Sequence, residues 1–157
     1  MELITADILE VPEGDKTSAL EAMGRAVAPL MAKAWEEDRK FFGNRPFSLN
    51  AQAMAQLWLS GDLKLFVAYD ERQEPVGYLS GIVYRPLQYE TRAFAIQSWW
   101  APTDEAKAVL FKTALDAMKF LGVPEAFAVL RDGESLPDLP AKWRESGRQS
   151  QVRLVKE

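Results

Sequence analysis

The chain has 157 residues, of which 48% are hydrophobic, and it carries a net charge of −4 with neither cysteine nor histidine. This length and composition predict one globular domain over residues 1–157. The missing residue types exclude disulfides, thiolate nucleophiles, imidazole bases and most transition-metal sites, so no metal site is predicted. Any chemistry has to use carboxylates, Tyr, Lys, Ser, Thr or backbone dipoles.

The charge and hydropathy patterns narrow the class of partner. A negative net charge disfavours binding to the phosphates of nucleic acid and to anionic membrane surfaces. No apolar run is long enough to span a bilayer, and the first residues lack the pattern of a secretory signal. We therefore expect a soluble cytoplasmic protein whose partner is a small molecule or a protein, not nucleic acid or membrane.

The N-terminal third is predicted to contain one strand and helical segments. Residues 2–11 have the pattern of a strand, and an amphipathic helix begins at Ser18. Pro29 lies inside that helical pattern, which predicts either a kink or a junction between two helices. A second helical pattern is predicted to be capped by Ser48 and to end at Gly61.

In the rest of the chain the hydrophobic residues recur with a period that alternates between two and about 3.6 residues. This predicts an antiparallel meander of three strands, a helix, a strand, a short helix and a last strand. In chain order these segments are 63–70, 76–87, 92–100, 103–122, 125–130, 141–146 and 150–156. The complete order is β-α-α-β-β-β-α-β-α-β. It predicts an α/β (α+β) domain with a mixed central sheet of about six strands and helices on both faces.

The stretch SWWAPTDEAKAVLF, residues 98–111, predicts a strand end, a turn at Pro102 and a helix capped by Thr103. A helix that begins after a strand presents free backbone N–H groups and the positive end of its dipole, which suits an anionic ligand. This corner holds no glycine, and Asp104 and Glu105 occupy the first turn. Their carboxylates satisfy the helix dipole and repel a pyrophosphate.

The order of elements resembles that of the GNAT superfamily of acyl-CoA-dependent N-acyltransferases over nearly the whole chain. The local steps that carry this resemblance are Pro75-Val76, Gly77-Tyr78, Leu110-Phe111 and Gly122. The tail AKWRESGRQSQVRLVK is similar to the closing segment of the family, with Trp143 where tyrosine is usual and Arg148 where phenylalanine is usual.

The resemblance implies acyl transfer from acetyl-CoA to an amine on a small molecule or a protein. The cofactor would lie in a notch where the fourth and fifth strands diverge, beside a bulge in the fourth strand. The residues that this places at the cofactor are Ser98, Trp99, Trp100, Asp104, Lys107, Ala108 and Trp143. An indole cannot replace the usual tyrosine as a proton donor, so acid catalysis falls to Tyr84 or Tyr89, with Glu90 as the carboxylate nearest the fourth strand.

The loop between the first helices would cover the acceptor. Its candidate acceptor-binding residues are Phe41, Phe42, Arg45 and Phe47. Each set also has a purely structural interpretation, in which Tyr84 and Tyr89 stack across a strand turn and the phenylalanines cap the core.

Three hypotheses follow. The first is an N-acetyltransferase with an unusual cofactor loop. The second is a catalytically degenerate GNAT-fold protein that binds a protein partner or a ligand other than CoA, which the acidic, glycine-free corner and Trp143 favour. A third is a bacteriophage protein that modifies or blocks a host protein. The last predicted strand could also pair two copies into a homodimer, although its alternating Arg and Lys residues oppose this.

Overall fold

The structure, a computed structural model, describes residues 3–42, 48–88, 90–130 and 133–147, with the side chains of 39–42 outside that description. Its strands are β1 (Thr5–Ile8), β2 (Leu63–Tyr69), β3 (Pro75–Tyr84), β4 (Ala93–Trp100) and β5 (Glu125–Ala128). Its helices are α1 (Lys16–Ala26), α2 (Ala28–Phe42), α3 (Ala51–Leu59) and α4 (Asp104–Phe120). In these ranges no helix combines the length and apolarity needed to cross a membrane.

The strands form one mixed sheet in the order β1-β2-β3-β4-β5. The first four strands are antiparallel neighbours, and β5 joins β4 in parallel after the crossover through α4. This confirms the α/β class, the mixed sheet and the meander predicted from the period-two segments. The sixth predicted strand, residues 150–156, lies outside the described residues.

Two hydrophobic clusters cover the two faces of the sheet. On one face α1, α2 and α3 pack on β2 and β3 around Trp58, Leu65 and Val67, which are 1% exposed or less. On the other face α4 packs across the sheet around Phe66 and Phe94. Helices therefore lie on both sides of the sheet, as the sequence predicts.

Side-chain caps explain where the helices begin. Asp15 caps α1 by accepting the Ser18 N–H, and Asn50 caps α3 by accepting the Ala53 N–H. The predicted Ser48 cap is therefore wrong by two residues. Pro29 lies in the first turn of α2, where its missing N–H costs no hydrogen bond, so the predicted proline junction is confirmed as two separate helices.

The short helix predicted for 141–146 is wrong. Residues 141–142 form a turn in which the Trp143 N–H donates to the Pro140 carbonyl at 3.1 Å. Lys142 adopts a φ of 75°, which an α-helix does not allow. A tight turn that Pro140 initiates takes the place of the predicted helix.

Two glycines let β3 and β4 approach closely. A Cβ at Gly77 would lie 2.9 Å from the Trp100 carbonyl oxygen, and a Cβ at Gly81 would overlap the Phe94 ring. At Gly81 the added carbon would also lie 2.8 Å from the Ala95 carbonyl oxygen, so neither the ring nor the backbone of β4 could stay in place. The Gly77-Tyr78 step in the sequence has this steric cause.

We predict that Gly81→Ala lowers the free energy of unfolding by about 1–3 kcal/mol, because the new methyl group overpacks the β3–β4 contact. The matched control is Gly24→Ala in α1, where nothing lies within 4 Å of the added Cβ. That control should stabilise the chain by up to about 1 kcal/mol through helix propensity. Thermal melts of both variants would contradict this steric constraint if Gly81→Ala melted at or above the wild-type temperature.

Candidate functional site

The sheet opens on one side of β4. The parallel pairing with β5 runs from Ala93 opposite Glu125 to Ile96 opposite Ala128, where β5 ends. Strand β4 continues to Trp100 and stays paired with β3 throughout. Beyond Ile96, the edge of β4 that faced β5 therefore has no ladder partner in β5.

A β-bulge marks the same point of β4. Gly81 of β3 pairs with Ile96 and Ser80 pairs with Ser98, so Gln97 is an extra residue in the ladder. A bulge bends its strand and redirects the following residues. The bulge and the divergence, both implied by the sequence resemblance, therefore occur together.

A cluster of three hydroxyls holds the residue after the bulge. The Tyr78 hydroxyl donates to Ser98 Oγ at 3.0 Å, and Ser80 Oγ lies 3.0 Å from the same atom. Tyr78 and Ser80 are 1% and 3% exposed, so their hydroxyls are buried and need hydrogen-bond partners within the protein. The cluster fixes Ser98 against β3.

The two indoles that end β4 lie on opposite faces of the sheet. Trp99 packs edge-on against Phe111 of α4, with the ring centroids 5.4 Å apart. The Trp100 Nε1–H donates to Glu37 Oε1 of α2 at 3.0 Å, and Lys33 Nζ lies 5.0 Å from the Trp100 ring centroid. Both indoles are half-buried, and together they attach the end of β4 to both helical layers.

The helix after this corner begins at a side-chain cap. Thr103 Oγ1 accepts the Ala106 N–H at 3.1 Å, as the sequence predicts. The N–H groups of Asp104 and Glu105 have no acceptor within the helix, because the first turn of any α-helix precedes its first carbonyl acceptors. They lie at the positive end of the α4 dipole.

A cavity of about 820 Å³ lies at this corner. One wall is the end of β4 with Trp99 and Trp100, the second is the first turns of α4, and the third is the segment 133–138. Glu37 of α2 completes the lining from the opposite face of the sheet. The volume is within the range of small-molecule and cofactor pockets.

The charge of the cavity is predominantly negative. Its lining includes the carboxylates Glu37, Asp104, Glu134 and Asp138, and Lys107 is the one cation among the described residues that line it. The Lys107 Nζ donates to Glu134 Oε1 at 3.1 Å and to the Ser135 carbonyl oxygen at 3.0 Å. Within the described ranges no group of three or more carboxylates is placed to hold a metal ion.

The structure brings most of the predicted cofactor residues together. The members of that set that line the cavity are Trp99, Trp100, Asp104, Lys107 and Ala108. Ser98 lies in β4 next to them, with its hydroxyl held by Tyr78 and Ser80. Trp143 lies elsewhere: it lines a second cavity of about 280 Å³ with Gly122 and Val123, at the far end of α4.

The predicted catalytic residues lie at the opposite end of β4. Tyr84 ends β3 and pairs with Ala93, and Glu90 lies in the connection between them. Ala93 and Trp100 are separated by about 23 Å, at roughly 3.3 Å per strand residue. Tyr84 and Glu90 therefore do not share a site with the cavity, and Tyr89 lies outside the described residues.

The predicted acceptor-binding residues lie at the end of α2 and in the segment that follows it in the sequence. Phe41 and Phe42 end α2, and their side chains lie outside the described part, as do Arg45 and Phe47 entirely. Those assignments stay predictions.

Sequence reasoning missed Glu37, Tyr78, Ser80 and the segment 133–138. Glu37 follows Lys33 by four residues on α2, which is a common spacing of exposed helix pairs and does not single out a site. Glu134 and Ser135 lie in a segment without periodicity, 27 and 28 residues after Lys107. Two serines that face each other on paired strands would indicate the hydroxyl cluster. That pairing can be read from the sequence only when the position of the bulge is known.

Comparison with known proteins finds similarity in structure only. No family model and no curated protein matches the sequence. A mutant of the BH1408 protein from Bacillus halodurans aligns over 96% of this chain and 99% of its own, with a TM-score of 0.63 and 14% identity. The aminoglycoside acetyltransferase HMB0005 from an uncultured soil metagenomic sample aligns over 81% and 79%, with a TM-score of 0.55 and 17% identity.

A third similar structure is the ribosomal-protein-alanine N-acetyltransferase from Brucella melitensis biovar Abortus 2308. It aligns over 97% of this chain and all of its own, with a TM-score of 0.53 and 13% identity. The chain has the GNAT fold. At these identities the likeness concerns the fold, while the choice of ligand depends on the side chains of the site. In this fold the corner after β4 carries the cavity of about 820 Å³.

We predict that Tyr78→Phe lowers the free energy of unfolding by about 1 kcal/mol, because it removes a buried hydrogen bond to Ser98. The melting temperature should fall by about 2–4 °C in a chain of this size. Tyr84→Phe is the control, since Tyr84 is 40% exposed, and its melting temperature should not change. Additive effects of Tyr78→Phe and Ser98→Ala would contradict the cluster, whose members should couple by at least about 0.5 kcal/mol.

Proposed function

We propose that this protein is an N-acyltransferase that uses acetyl-CoA to acylate an amine on a small molecule or a protein. The observation that carries the proposal is the position of the cavity, at the point where β4 leaves β5 and meets the first turn of α4. That corner combines strand backbone that β5 leaves without a ladder partner, two indoles and a helix N-terminus. These are the groups that a long amide-containing ligand with phosphates would need.

The residues of the corner fit acyl-CoA in part. Beyond Ile96, the edge of β4 that β5 does not pair with can bind the amide groups of the pantetheine arm, and Trp99 and Trp100 offer apolar surface beside it. Lys107 and the N–H groups at the start of α4 would hold phosphate oxygens. When bound, acyl-CoA supplies an activated thioester.

Glu37 is the residue we propose as the base for the amine. Its carboxylate lines the cavity from the side of α2, and the Trp100 indole N–H fixes one of its oxygens at 3.0 Å. A carboxylate so oriented can accept a proton from an incoming ammonium, directly or through water. It takes over the role that the sequence resemblance gave to Glu90.

The charge of the lining bears on the acceptor. Four carboxylates attract cations, so a cationic amine is the acceptor class that the cavity favours. Similar structures include an aminoglycoside acetyltransferase and a ribosomal-protein-alanine N-acetyltransferase, so both small-molecule and protein amines belong in the assay panel.

The alternative is a GNAT-fold protein that binds a protein partner or a ligand other than CoA. A specific observation favours it: Asp104 and Glu105 lie in the first turn of α4, and Lys107 is already bound to Glu134. Both features oppose binding of an anion at this helix N-terminus. A calorimetric titration that detects no acetyl-CoA binding at millimolar concentration would favour this alternative and reject the transferase.

We predict that Ala108→Trp abolishes both the binding of acetyl-CoA and the release of the CoA thiol that accompanies acyl transfer, because an indole on α4 at this position fills the cavity. At 100 times its Kd, acetyl-CoA should stabilise the wild-type chain by about 2.7 kcal/mol, and this stabilisation should be lost in the variant. Ala53→Trp, on the exposed side of α3, is the control and should keep both binding and release. Equal responses in the two variants would mean that the cofactor binds elsewhere.

We predict that Glu37→Gln lowers kcat by at least about 100-fold, as loss of a general base does, while acetyl-CoA binding changes little. The neighbouring Glu36→Gln does not alter the cavity lining and should keep its activity. Steady-state kinetics with the best amine of the panel, together with calorimetry, separates the two effects. A loss of acetyl-CoA affinity as large as the loss of kcat would assign Glu37 to binding instead of proton transfer.

A further inference from the structure

Lys107 and Glu134 form an ion pair in the lining of the cavity. Lys107 belongs to α4 and Glu134 to the segment 133–138, and their side chains are only 15% and 19% exposed. The ammonium also donates to the Ser135 carbonyl oxygen and lies 5.9 Å from the Trp99 ring centroid. The segment 133–138 thus supplies two acceptors for the three N–H donors of Lys107.

The second ion pair of α4 shows how different this contact is. Lys112 and Asp116 lie four residues apart on the helix, with 67% and 48% of their side chains exposed, so water screens the pair. The Lys107–Glu134 pair joins residues 27 positions apart and is mostly shielded from water. A contact that is this shielded has a larger effect on the site than an exposed helix pair has.

Lys107 occupies the position where an anion would gain most. It is the one cation among the described cavity-lining residues, and it lies in the second turn of α4, close to the positive end of the helix dipole. A carboxylate oxygen 3.1 Å from an ammonium has the charge, distance and acceptor chemistry of a phosphate oxygen in the same place.

We propose that Glu134 is an internal competitor for a phosphate-binding site at Lys107, and that it determines how tightly the cavity binds the phosphates of acyl-CoA. This inference rests on the proposed function. A phosphate binds Lys107 by replacing the Glu134 carboxylate, and the Glu134 charge then has to move toward water. The apparent affinity is lower than the intrinsic affinity by the fraction of molecules in which Lys107 is released.

The test is calorimetry of CoA and of inorganic pyrophosphate with the wild-type chain and with Glu134→Gln, in a buffer without phosphate. The glutamine keeps a hydrogen-bond acceptor for Lys107 and removes the competing charge. Glu134→Gln should bind both ligands at least about fivefold more tightly, because even an exposed ion pair can contribute a factor of about five and the Lys107–Glu134 pair is more shielded than that. Asp116→Asn is the control, because it also removes one carboxylate paired with a lysine of α4 but lies outside the cavity lining.

A double-mutant cycle isolates the exchange. With Lys107→Ala in the background, the gain from Glu134→Gln should largely disappear, because the two residues act through each other. Thermal melts establish that each variant is folded. Glu134→Asp is a second variant that tests the competition. Its shorter side chain places the carboxylate farther from Lys107, so it should also raise the affinity for CoA and pyrophosphate.

The outcomes separate this inference from the proposed function. Tighter binding in Glu134→Gln with no change in Asp116→Asn supports the competitor, whether or not wild-type binding is itself detectable. If the wild-type chain binds CoA and Glu134→Gln binds it equally or more weakly, the competitor is overturned while the transferase proposal stands. Absence of CoA binding in every variant overturns both the competitor and the transferase proposal. A gain in affinity in Asp116→Asn equal to that in Glu134→Gln would mean that net charge alone causes the effect, and it would overturn the competitor.

Discussion

Strand β4 has two neighbours of unequal length, and the site depends on this inequality. The ladder with β3 continues to Trp100, whereas the ladder with β5 ends at Ile96 opposite Ala128. Backbone N–H and C=O groups that leave water need partners, so a sheet that opens internally is costly unless something else pairs with the exposed edge. The opening therefore leaves space and strand backbone beside the cavity that a ligand could pair with.

The end of β4 can stay in place without β5 because other groups hold it. The bulge at Gln97 is fixed by the Tyr78, Ser80 and Ser98 hydroxyls on one face of the sheet. Beyond it, Trp99 packs on α4 and Trp100 is bonded to α2. Contacts to both helical layers replace the missing strand ladder, and they give the cavity two walls made of regular secondary structure, which define a binding geometry better than loops do.

Sequence reasoning pointed to the corner that holds the cavity but not to Glu37, and the difference has a physical cause. The corner at residues 98–111 is a local feature, in which a strand end, a proline and the Thr103 cap lie next to one another. Local patterns of this kind determine local structure, so Trp99, Trp100 and Lys107 were correctly grouped. Glu37 reaches the cavity by tertiary packing alone, 63 residues from Trp100 in sequence.

Proximity in sequence does not bring the other predicted residues to the cavity. Glu90 and Tyr84 precede β4 by only a few residues, yet an extended strand separates them from the cavity by nearly its full length. Trp143 was assigned by analogy to a helix that does not form, because Pro140 and Lys142 make a turn instead. The conformation of an aperiodic segment such as 133–138 depends on contacts like Lys107–Glu134, which no pattern in the sequence encodes.

The charges of the cavity favour its two prospective ligands unequally. Glu37, Asp104 and Asp138 attract a cationic amine, whereas they repel the phosphates of an acyl donor. Exchange of Glu134 for a phosphate at Lys107 leaves the number of ion pairs unchanged, so this step gains little Coulomb energy. Affinity for an acyl donor would then come from the indoles and from the β4 edge that β5 does not pair with, and added salt would not weaken it, because salt also screens the repulsion by the carboxylates. Binding of a cationic amine would rely on exposed carboxylates, whose interactions salt screens beyond about 8–10 Å at physiological ionic strength. Raising the salt concentration should therefore weaken amine binding more than donor binding.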